Sequence, residues 1–579
     1  MTMLTKWGAA LDRSCPLPEY PRPQLRRESF YNLNGVWDYA VTPSGDEPEV
    51  WDGEIVVPFS PEAPLSGAAR GPAKDEYLHY RRGFTLPEGF QKSRVLLHFG
   101  AVDQIAEVFV NGVSAAKHSG GYWPFSADIT SLLREGENIL RVTVRDNADD
   151  PTFAYGKQRY KRGGMWYTAQ SGIWQTVWLE SVPEVYVKSL RITPEFDEAR
   201  VRIELETALE SSAAITCDVR AADGSFVAGS WAKGGVCIVP LPGFRAWTPD
   251  DPYLYTLDIT CGEDRVESYF AMRKFSYVEL GGHKVFGLNN APLFHNGLLD
   301  QGYYPDGLLT PPSDEAMVND IETMKRCGFN MLRKHIKIEP LRWYYHCDRL
   351  GMIVWQDMVS GGQPYSFLHV SALPTLGKVD LPDKDAKPYG RSGVLSRARF
   401  RREMADTVRL LYNCPCIALW TVFKEGWGQF DALDMANELK KLDPTRFIDH
   451  ASGWQDQGYE EMKSRHIYFR PVKLKNDGRA LALTEYGGYI LAVDGHRWTD
   501  KVFGYRICRD SAALAHDYEK LMLGQVLPHI RKEGLTAAVY TQITDVEEEL
   551  NGLMTYDREV LKIPEETLRE INAALRFDA

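Results

Sequence analysis

The stretch that decides the fold is residues 314–358, "DEAMVNDIETMKRCGFNMLRKHIKIEPLRWYYHCDRLGMIVWQDM". Its segments "DEAMVNDIETMKRCG" and "EPLRWYYHCDRLG" have the pattern of helices, and the segments that follow them, "FNMLRKH" and "MIVWQDM", have the pattern of strands. Such alternation predicts parallel strands joined by crossover helices. The region 277–579 has about the length of one barrel of this kind, so we predict a (β/α)8 TIM barrel there.

The first 182 residues have the pattern of a β-sandwich instead. Short alternating segments are separated by Gly, Pro, Asn and Asp, and "AEVFVNG" ends in Asn111 and Gly112, which both tolerate the positive φ of a hairpin turn. Residues 183–276 contain further short strands at similar spacing. We therefore predict a multidomain β plus α/β chain, with a jelly-roll sandwich over residues 1–182 and a smaller immunoglobulin-like sandwich over residues 183–276.

The composition excludes several classes of partner and cofactor. A net charge of −12 over 579 residues argues against a nucleic-acid partner, because affinity for phosphate backbones comes from clustered positive charge. No stretch approaches the roughly 20 apolar residues of a membrane helix. The first residues lack the apolar core of a secretory signal, and nine cysteines without framework spacing predict reduced thiols, so a cytoplasmic location is expected. No P-loop, dinucleotide fingerprint, zinc-peptidase motif or nucleophile elbow is present in the sequence, so we predict neither a cofactor nor a metal site.

Charged and polar residues follow most of the predicted barrel strands at their carboxyl ends. They are Asp300, Arg333, His335, Gln356, Asp357, Glu425, His466, Tyr468, Glu485 and Asp545. A single residue of this kind means little, because ion pairs also lie at strand ends. Its repetition over so many strands predicts an active site, since TIM barrels carry their chemistry at this end.

Two glutamates have the strongest claim to catalysis. Glu425 follows "IALWTVFK" and precedes "GWG", while Glu485 follows "LALT" and precedes "YGGY". Burial by Trp and Tyr favours a protonated carboxyl that acts as an acid, and hydrogen bonding favours an ionised carboxylate that acts as a nucleophile. Such a pair suits glycoside hydrolysis. A separation of about 5–5.5 Å would predict retention of configuration, and one of about 6.5–9.5 Å would predict inversion.

The sequence resembles glycoside hydrolase family 2, which contains β-galactosidases, β-glucuronidases and β-mannosidases, and the resemblance covers nearly the whole chain. Matching stretches in the first domain are "NLNGVW", "HYRRGF", "VFVNG", "HSGGYWPFSADIT" and "SGIWQTVWLE". In the barrel they are "GFNMLRKH", "DRLGMIVWQDM", "TVFKEGWGQF", "HIYF" and "LTEYGGY". The resemblance implies that Glu425 is the general acid/base and Glu485 the nucleophile of a retaining enzyme.

The resemblance also implies substrate-binding residues on the pocket floor and around the sugar ring, which are Asp300, Arg333, His335, Trp454, His466 and Tyr468. We predict three further substrate-binding residues from their places in the sequence: Asp357 at a strand end, Lys424 before the acid/base, and Asn551. An aromatic face such as that of Trp454 suits the C–H face of a pyranose. A core position for Trp454 and a structural hydrogen bond for His466 remain open alternatives.

Lys424 departs from the family pattern, which has asparagine before the acid/base. That asparagine is expected to hold the sugar 2-hydroxyl, a contact that strengthens in the transition state. Lysine donates hydrogen bonds but accepts none, and it adds a charge. We therefore keep three hypotheses: Lys424 contacts a 2-substituent or an acidic sugar, its charge keeps Glu425 ionised and impairs the acid, or its side chain turns into solvent.

The identity of the sugar is less constrained. β-Glucuronidases of this family carry an Asn-x-Lys-Gly motif for the sugar carboxylate, whereas "NGLMTYDREVLK" has Asn551 without a lysine two residues later. A terminal β-galactoside-like sugar is therefore our first prediction. The alternative is an acidic or 2-substituted sugar, for which Arg470 and Lys473 are either contacts or solvated loop residues. A second alternative, which Lys424 motivates, is a catalytically impaired protein that binds carbohydrate without cleaving it. Because members of the family are often oligomeric, a homo-oligomer is also compatible with the resemblance.

Overall fold

The computed structural model describes residues 3–209, 214–376 and 380–578. Within these ranges two β-sandwiches are followed by a barrel of eight parallel strands. No helix in these ranges is both long and apolar enough to cross a membrane. The predicted combination of β-sandwich and TIM-barrel architecture is thus confirmed.

The first sandwich consists of a four-stranded and a six-stranded antiparallel sheet. The smaller sheet has the order Tyr31–Asn32, Val177–Val182, Arg94–Phe99, Phe125–Asp128, and the larger has the order Gly53–Val57, Gly35–Thr42, Tyr77–Thr85, Glu137–Arg145, Ile105–Val110, Val113–Ser119. Buried residues of both sheets, among them Trp37, Tyr80 and Leu97, form one core. Asn111 and Gly112 have φ values of 52° and 83° between the last two strands, which confirms the predicted hairpin turn.

The second sandwich is smaller and also antiparallel. Its three-stranded sheet has the order Val187–Glu195, Arg200–Thr207, Val236–Pro240, and its four-stranded sheet has the order Phe226–Trp231, Ile215–Arg220, Tyr255–Cys261, Asp264–Phe270. Strand Tyr255–Cys261 alternates strictly between buried and half-buried positions, as expected for a strand with one face in the core. That core includes Ile203, Val219 and Leu257.

The barrel strands are labelled β1–β8 in chain order. They are β1 His295–Asp300, β2 Met331–Lys334, β3 Ile353–Asp357, β4 Ile417–Lys424, β5 Phe447–Ser452, β6 Met462–Ile467, β7 Ala480–Gly487 and β8 Leu535–Thr541. All hydrogen-bonded neighbours are parallel, in the order β5-β4-β3-β2-β1-β8-β7-β6. Strands β5 and β6 lie next to each other and nearly close the ring.

The helices around the barrel are labelled α1–α7. They are α1 Asp314–Arg326, α2 Leu341–Leu350, α3 Val394–Leu411, α4 Ala432–Leu442, α5 Ser511–Leu521, α6 Leu527–Glu533 and α7 Glu565–Ala573. Helix α1 begins where the Ser313 hydroxyl accepts a hydrogen bond from the Ala316 amide, a favourable N-cap. The connections 453–461 and 468–479, which precede and follow β6, contain no helix, so the barrel has fewer crossover helices than an ideal (β/α)8 fold.

Short elements complete the described part of the chain. The short helices are Lys6–Ala9, Pro23–Leu25, Pro64–Ser66, Thr130–Leu132, Leu368–Ala372, Leu373–Thr375 and Met522–Val526. The short strands are Val102–Asp103, Gln158–Arg159, Tyr167–Thr168, Gly172–Ile173, Tyr489–Ile490 and Arg506–Ile507.

A β-hairpin covers the amino-terminal end of the barrel. It comprises Phe275–Leu280 and His283–Leu288, with a short third strand Ala291–Pro292. Phe286 of the hairpin stacks on Phe447 of β5 with ring centroids 4.3 Å apart. At the opposite end the first sandwich reaches the barrel, where the Tyr155 amide donates a hydrogen bond to the Ser360 carbonyl. The carboxyl ends of the strands therefore face a mouth bordered by the first sandwich.

Candidate active site

Glu425 and Glu485 meet at the carboxyl end of the barrel. Glu425 directly follows β4 and its amide donates to the Ser452 carbonyl at the end of β5, while Glu485 lies near the end of β7. Glu425 has a φ of 55°, a left-handed conformation that is uncommon for a residue with a side chain. Carboxylate oxygens of both glutamates and a ring nitrogen of His466 lie within 4.8 Å of one another. The two glutamates named from the sequence thus face each other.

The Lys424 ammonium lies between the two carboxylates. Its Nζ is 2.6 Å from Glu425 Oε2 and 4.0 Å from Glu485 Oε1, and its side chain is only 7% exposed. Burial by itself raises the pKa of Glu425, but the Lys424 charge and the His466 contact outweigh it and hold that pKa well below its usual range. The hypothesis that Lys424 turns into solvent therefore does not describe this structure.

Glu485 is also held in its ionised form. The Tyr468 hydroxyl donates a 3.0 Å hydrogen bond to Oε2, and Arg333 Nη1 lies 3.4 Å from Oε1. Burial raises the pKa of Glu485, but its electrostatic interactions with His466 and Lys424 lower it overall. We expected one protonated and one ionised carboxyl from the sequence. In the free protein the pKa values of both glutamates are lowered instead, because the lysine counteracts burial.

A charged layer lies beneath the pair. Arg333 donates to both oxygens of Asp357, at 2.9 and 3.1 Å, and is fully buried. His335 Nδ1 is 3.3 Å from Asp357 Oδ2. Burial opposes ionisation of Asp357, yet the Arg333 charge brings its pKa to about 2, and burial lowers the pKa of His335 to about 4. Three of the predicted floor residues therefore form one cluster that supports Glu485.

Two of the predicted residues make other contacts. The Asp300 carboxylate accepts a 2.6 Å hydrogen bond from Lys334, which also pairs with Glu339. Asn551 Oδ1 accepts from Gln542 Nε2 at 2.9 Å. Like Glu485 and the cluster beneath it, Asp300 and Asn551 lie outside the lining of the pocket that contains Glu425. Both were named on a position at the end of a strand or in a motif, which does not determine the direction in which a side chain points.

The pocket that contains Glu425 is largely aromatic. Its lining comprises Lys157, Met165, Trp166, Tyr365, Val370, Ser371, Lys424, Glu425, Trp427, Trp454, His466, Tyr468, Phe469, Arg470 and Tyr505. The indole N–H groups of Trp427 and Trp454 are buried and have no acceptor in the described part of the chain. The Tyr468 ring stacks on Tyr505 at 4.0 Å. Flat aromatic faces and unpaired donors suit a ligand that carries both C–H faces and hydroxyl groups.

The sequence prediction covered part of this lining. Trp454, His466 and Tyr468 were named and do line the pocket. The lining residues that were missed are Lys157, Met165, Trp166, Tyr365, Val370, Ser371, Trp427, Phe469 and Tyr505. Trp427 lies inside the quoted motif "TVFKEGWGQF" and was available as a candidate, but Lys157 belongs to the first sandwich and has no sequence pattern that relates it to a barrel strand.

Glu425, His466 and Glu485 together offer three potential metal ligands. The Lys424 ammonium, however, contacts the same two carboxylates and already supplies a positive charge between them. A metal cation at this position would be repelled by Lys424, so the donor set fits the lysine better than an ion.

Three family models match the chain in the order of its domains. The sugar binding domain of glycosyl hydrolases family 2 matches residues 64–183, a general model of that family matches residues 185–273, and its TIM barrel domain matches residues 311–474. The chain belongs to glycoside hydrolase family 2. The resemblance noted from the sequence motifs is thus confirmed.

Individual relatives in family 2 are distant. A β-galactosidase of Thermoanaerobacter pseudethanolicus is 25% identical over 387 residues, which cover 63% of this chain and 47% of that protein. Human β-glucuronidase is 23% identical over 510 residues, which cover 78% of this chain and 73% of that protein. The chain spans less than half of the length of several relatives, with shares of 47%, 45% and 37%.

A solved structure shares the whole fold. The β-glucuronidase of an uncultured Clostridium sp. superposes with a TM-score of 0.74 at 19% identity, covering 95% of this chain and 98% of that one. At this identity the match establishes the architecture of this chain but not its chemistry.

Proposed function

We propose that the protein is a retaining β-glycoside hydrolase in which Glu485 is the nucleophile and Glu425 the acid/base. The observation that carries the proposal is the separation of the two carboxylates, whose nearest ligand oxygens lie within 4.8 Å. Retaining enzymes hold their carboxyl groups about 5–5.5 Å apart, whereas inverting enzymes need about 6.5–9.5 Å to admit a water molecule. The short separation favours double displacement.

In the first step a Glu485 oxygen attacks the anomeric carbon, the bond from that carbon to the leaving oxygen breaks, and Glu425 transfers its proton to that oxygen. In the second step Glu425 removes a proton from water, which attacks the same carbon and releases Glu485. Tyr468 and Arg333 orient Glu485 for attack. Because Glu425 is ionised beside Lys424, the first step requires that Glu425 gain a proton, which a shift of the ammonium away from it would favour.

The pocket supports removal of a terminal sugar. Its lining residues come from the first sandwich and from several barrel loops, which would surround one sugar and part of its aglycone rather than an extended chain. The unpaired indole N–H groups of Trp427 and Trp454 are candidate donors to sugar hydroxyls.

Two sugar classes remain candidates. A neutral β-galactoside-like sugar is the first prediction from the sequence, and relatives named as β-galactosidases are compatible with it. An acidic or 2-substituted sugar is favoured by the position of Lys424 inside the pocket and is compatible with relatives named as β-glucuronidases.

The cysteines support the expected location. Eight of the nine are buried within the described chain, and none is joined to another by a disulfide. Reduced thiols are typical of reducing compartments, so we infer that the protein is cytoplasmic.

The test is release of 4-nitrophenol from the β-galactoside, β-glucoside, β-mannoside, β-glucuronide and β-galacturonide, with Glu485→Ala as the blank. We expect turnover of at least one glycoside, loss of that turnover in the blank, and a β anomer as the first product in proton NMR. A first product with the α configuration would contradict double displacement. Binding of a glycoside in calorimetry without any turnover would instead indicate a carbohydrate-binding protein.

A further inference from the structure

Lys157 is a buried lysine that has no carboxylate partner. It comes from the first sandwich, is 5% exposed and lines the pocket that contains Glu425 and Lys424. Its Nζ lies 5.6 Å from the Tyr167 ring centroid and 5.9 Å from that of Trp166, and it forms no hydrogen bond or ion pair with any residue that the structure describes. Its charge therefore faces the pocket without compensation by a bonded anion.

The other buried lysines show how unusual this is. Lys334, Lys337, Lys424 and Lys562 are each within 2.9 Å of a carboxylate oxygen, provided by Asp300 or Glu339, Glu339, Glu425 and Asp545 respectively. Lysine is almost never buried unless it is paired, because removal of a charge from water is unfavourable. Lys157 is the exception among the buried lysines of the described chain, and its unpaired side chain lies next to the candidate catalytic residues.

The electrostatic surroundings favour an anion at this position. Burial, reinforced by the Lys424 charge, lowers the pKa of Lys157 to about 8, although nearby glutamates act in the opposite direction. Lys424 is engaged by Glu425, and Arg470 lines the exposed rim of the same pocket. Three cationic side chains, Lys157, Lys424 and Arg470, thus line a pocket whose described lining contains one carboxylate, Glu425.

We propose that Lys157, together with Lys424, forms a subsite for an anionic group on the terminal sugar. The proposal rests on the proposed glycosidase function and names its substrate class, a β-glycoside whose sugar carries a carboxylate or a sulfate ester. The anion supplies the partner that Lys157 lacks. By attracting the Lys424 ammonium it also weakens the hold of that ammonium on Glu425, which favours protonation of the acid. Lys157 is then a specificity-determining residue contributed by the first sandwich.

The experiment compares matched pairs of 4-nitrophenyl glycosides that differ in charge: β-glucuronide against β-glucoside, β-galacturonide against β-galactoside, and 6-sulfo-β-galactoside against β-galactoside. We expect the wild type to prefer the anionic member of at least one pair. Lys157→Met should lower that preference in kcat/KM about 10- to 100-fold, the range of a hydrogen bond to a charged group, with a smaller change for the neutral member. Lys441→Met, at an exposed position outside the pocket, is the control and should leave the preference unchanged.

The outcome also distinguishes the two proposals. The anion subsite would be refuted if the wild type hydrolysed the neutral member of every pair faster than the anionic member. It would also be refuted if Lys157→Met lowered kcat/KM equally for both members of a pair. Either result would leave the proposed hydrolase function standing. No hydrolysis of any glycoside would refute the hydrolase. Calorimetry with galacturonate and galactose would then still test the subsite, which requires tighter binding of the acid to the wild type. Lys157→Gln, which keeps a donor without a charge, replaces Lys157→Met if the latter does not fold, and it should lose the same preference.

Discussion

Removal of the Lys424 charge is the most direct test of how the acid is controlled. Lys424 Nζ lies 2.6 Å from Glu425 Oε2, a distance at which two unit charges interact by about 6 kcal/mol for an effective dielectric constant of about 20. Desolvation offsets much of this interaction, and a close opposite charge typically lowers the pKa of a carboxyl by about 1–3 units. Lys424→Met should therefore raise the pKa of Glu425, because it removes the positive charge that opposes protonation of this carboxylate.

The sign follows from the role that we propose for Glu425. A general acid acts in its protonated form, so kcat/KM falls as the pH rises above the pKa of that group. In the wild type this pKa is low, and the basic limb of the profile should begin in the acidic range. Lys424→Met should move that limb to higher pH and raise kcat/KM at pH 7 by at least about tenfold on a neutral alkyl β-glycoside.

The assay is the pH dependence of kcat/KM for a methyl and a 4-nitrophenyl glycoside of the same neutral sugar. The gain should be large for the methyl glycoside, whose leaving oxygen needs the proton, and small for 4-nitrophenolate, which leaves without it. Lys424→Arg, which keeps the charge, is the control. A basic limb that stays in place in Lys424→Met, or an equal gain on both glycosides, would show that Lys424 does not set the protonation of Glu425.

Three further predictions concern the supporting structure. In Gly453→Ala the new Cβ would lie 2.3 Å from the His466 ring, and the φ of +88° at this position is strained for alanine. We therefore expect kcat to fall at least about tenfold in steady-state kinetics, while circular dichroism shows that the fold is retained. A wild-type kcat would contradict this prediction. Asp357→Ala leaves the buried Arg333 without its bidentate partner and should destabilise the fold by about 3–5 kcal/mol. The thermal midpoint should therefore be lower than that of the wild type, and an unchanged midpoint would contradict the prediction. Burial raises the pKa of Asp146 well above its ordinary value of about 4, so the folded state keeps a proton that the unfolded chain loses. The free energy of unfolding therefore falls as the pH rises from about 4 through the folded pKa. Asp146→Asn should therefore raise the thermal midpoint more at pH 8 than at pH 4, and an equal effect at both pH values would contradict the assignment.

Much of the fold follows from local patterns. Strand β4 is predicted because the run "IALWTVF" before Lys424 is almost entirely apolar, as in strands that are covered on both faces, and the structure has a strand at Ile417–Lys424 with every residue buried. The barrel was predicted from alternating helix and strand patterns, which depend on neighbouring residues only. The connections 453–461 and 468–479 contain no helix and therefore have no helical periodicity in the sequence. A loop that connects two adjacent parallel strands needs only sufficient length.

The candidate site was predicted less completely. Arg333, His335 and Asp357 were named from their strand ends and do form one cluster beneath Glu485. Asp300 was named by the same rule, yet it pairs with Lys334, because adjacent side chains on a strand point in opposite directions and the end of a strand does not specify which one faces the pocket.

The sequence alone determined the order of the sandwich and barrel regions along the chain and the position of two glutamates at strand ends. Both follow from the periodicity of nearby residues and from the rule that barrel active sites lie at the carboxyl ends of the strands. Only the tertiary structure decided how those residues act. The separation of the glutamates, the contact of Lys424 with Glu425 and the unpaired charge of Lys157 all depend on distance and burial. Interactions between charges scale with the inverse of distance and dielectric constant, and both are set by packing between segments that are far apart in the sequence.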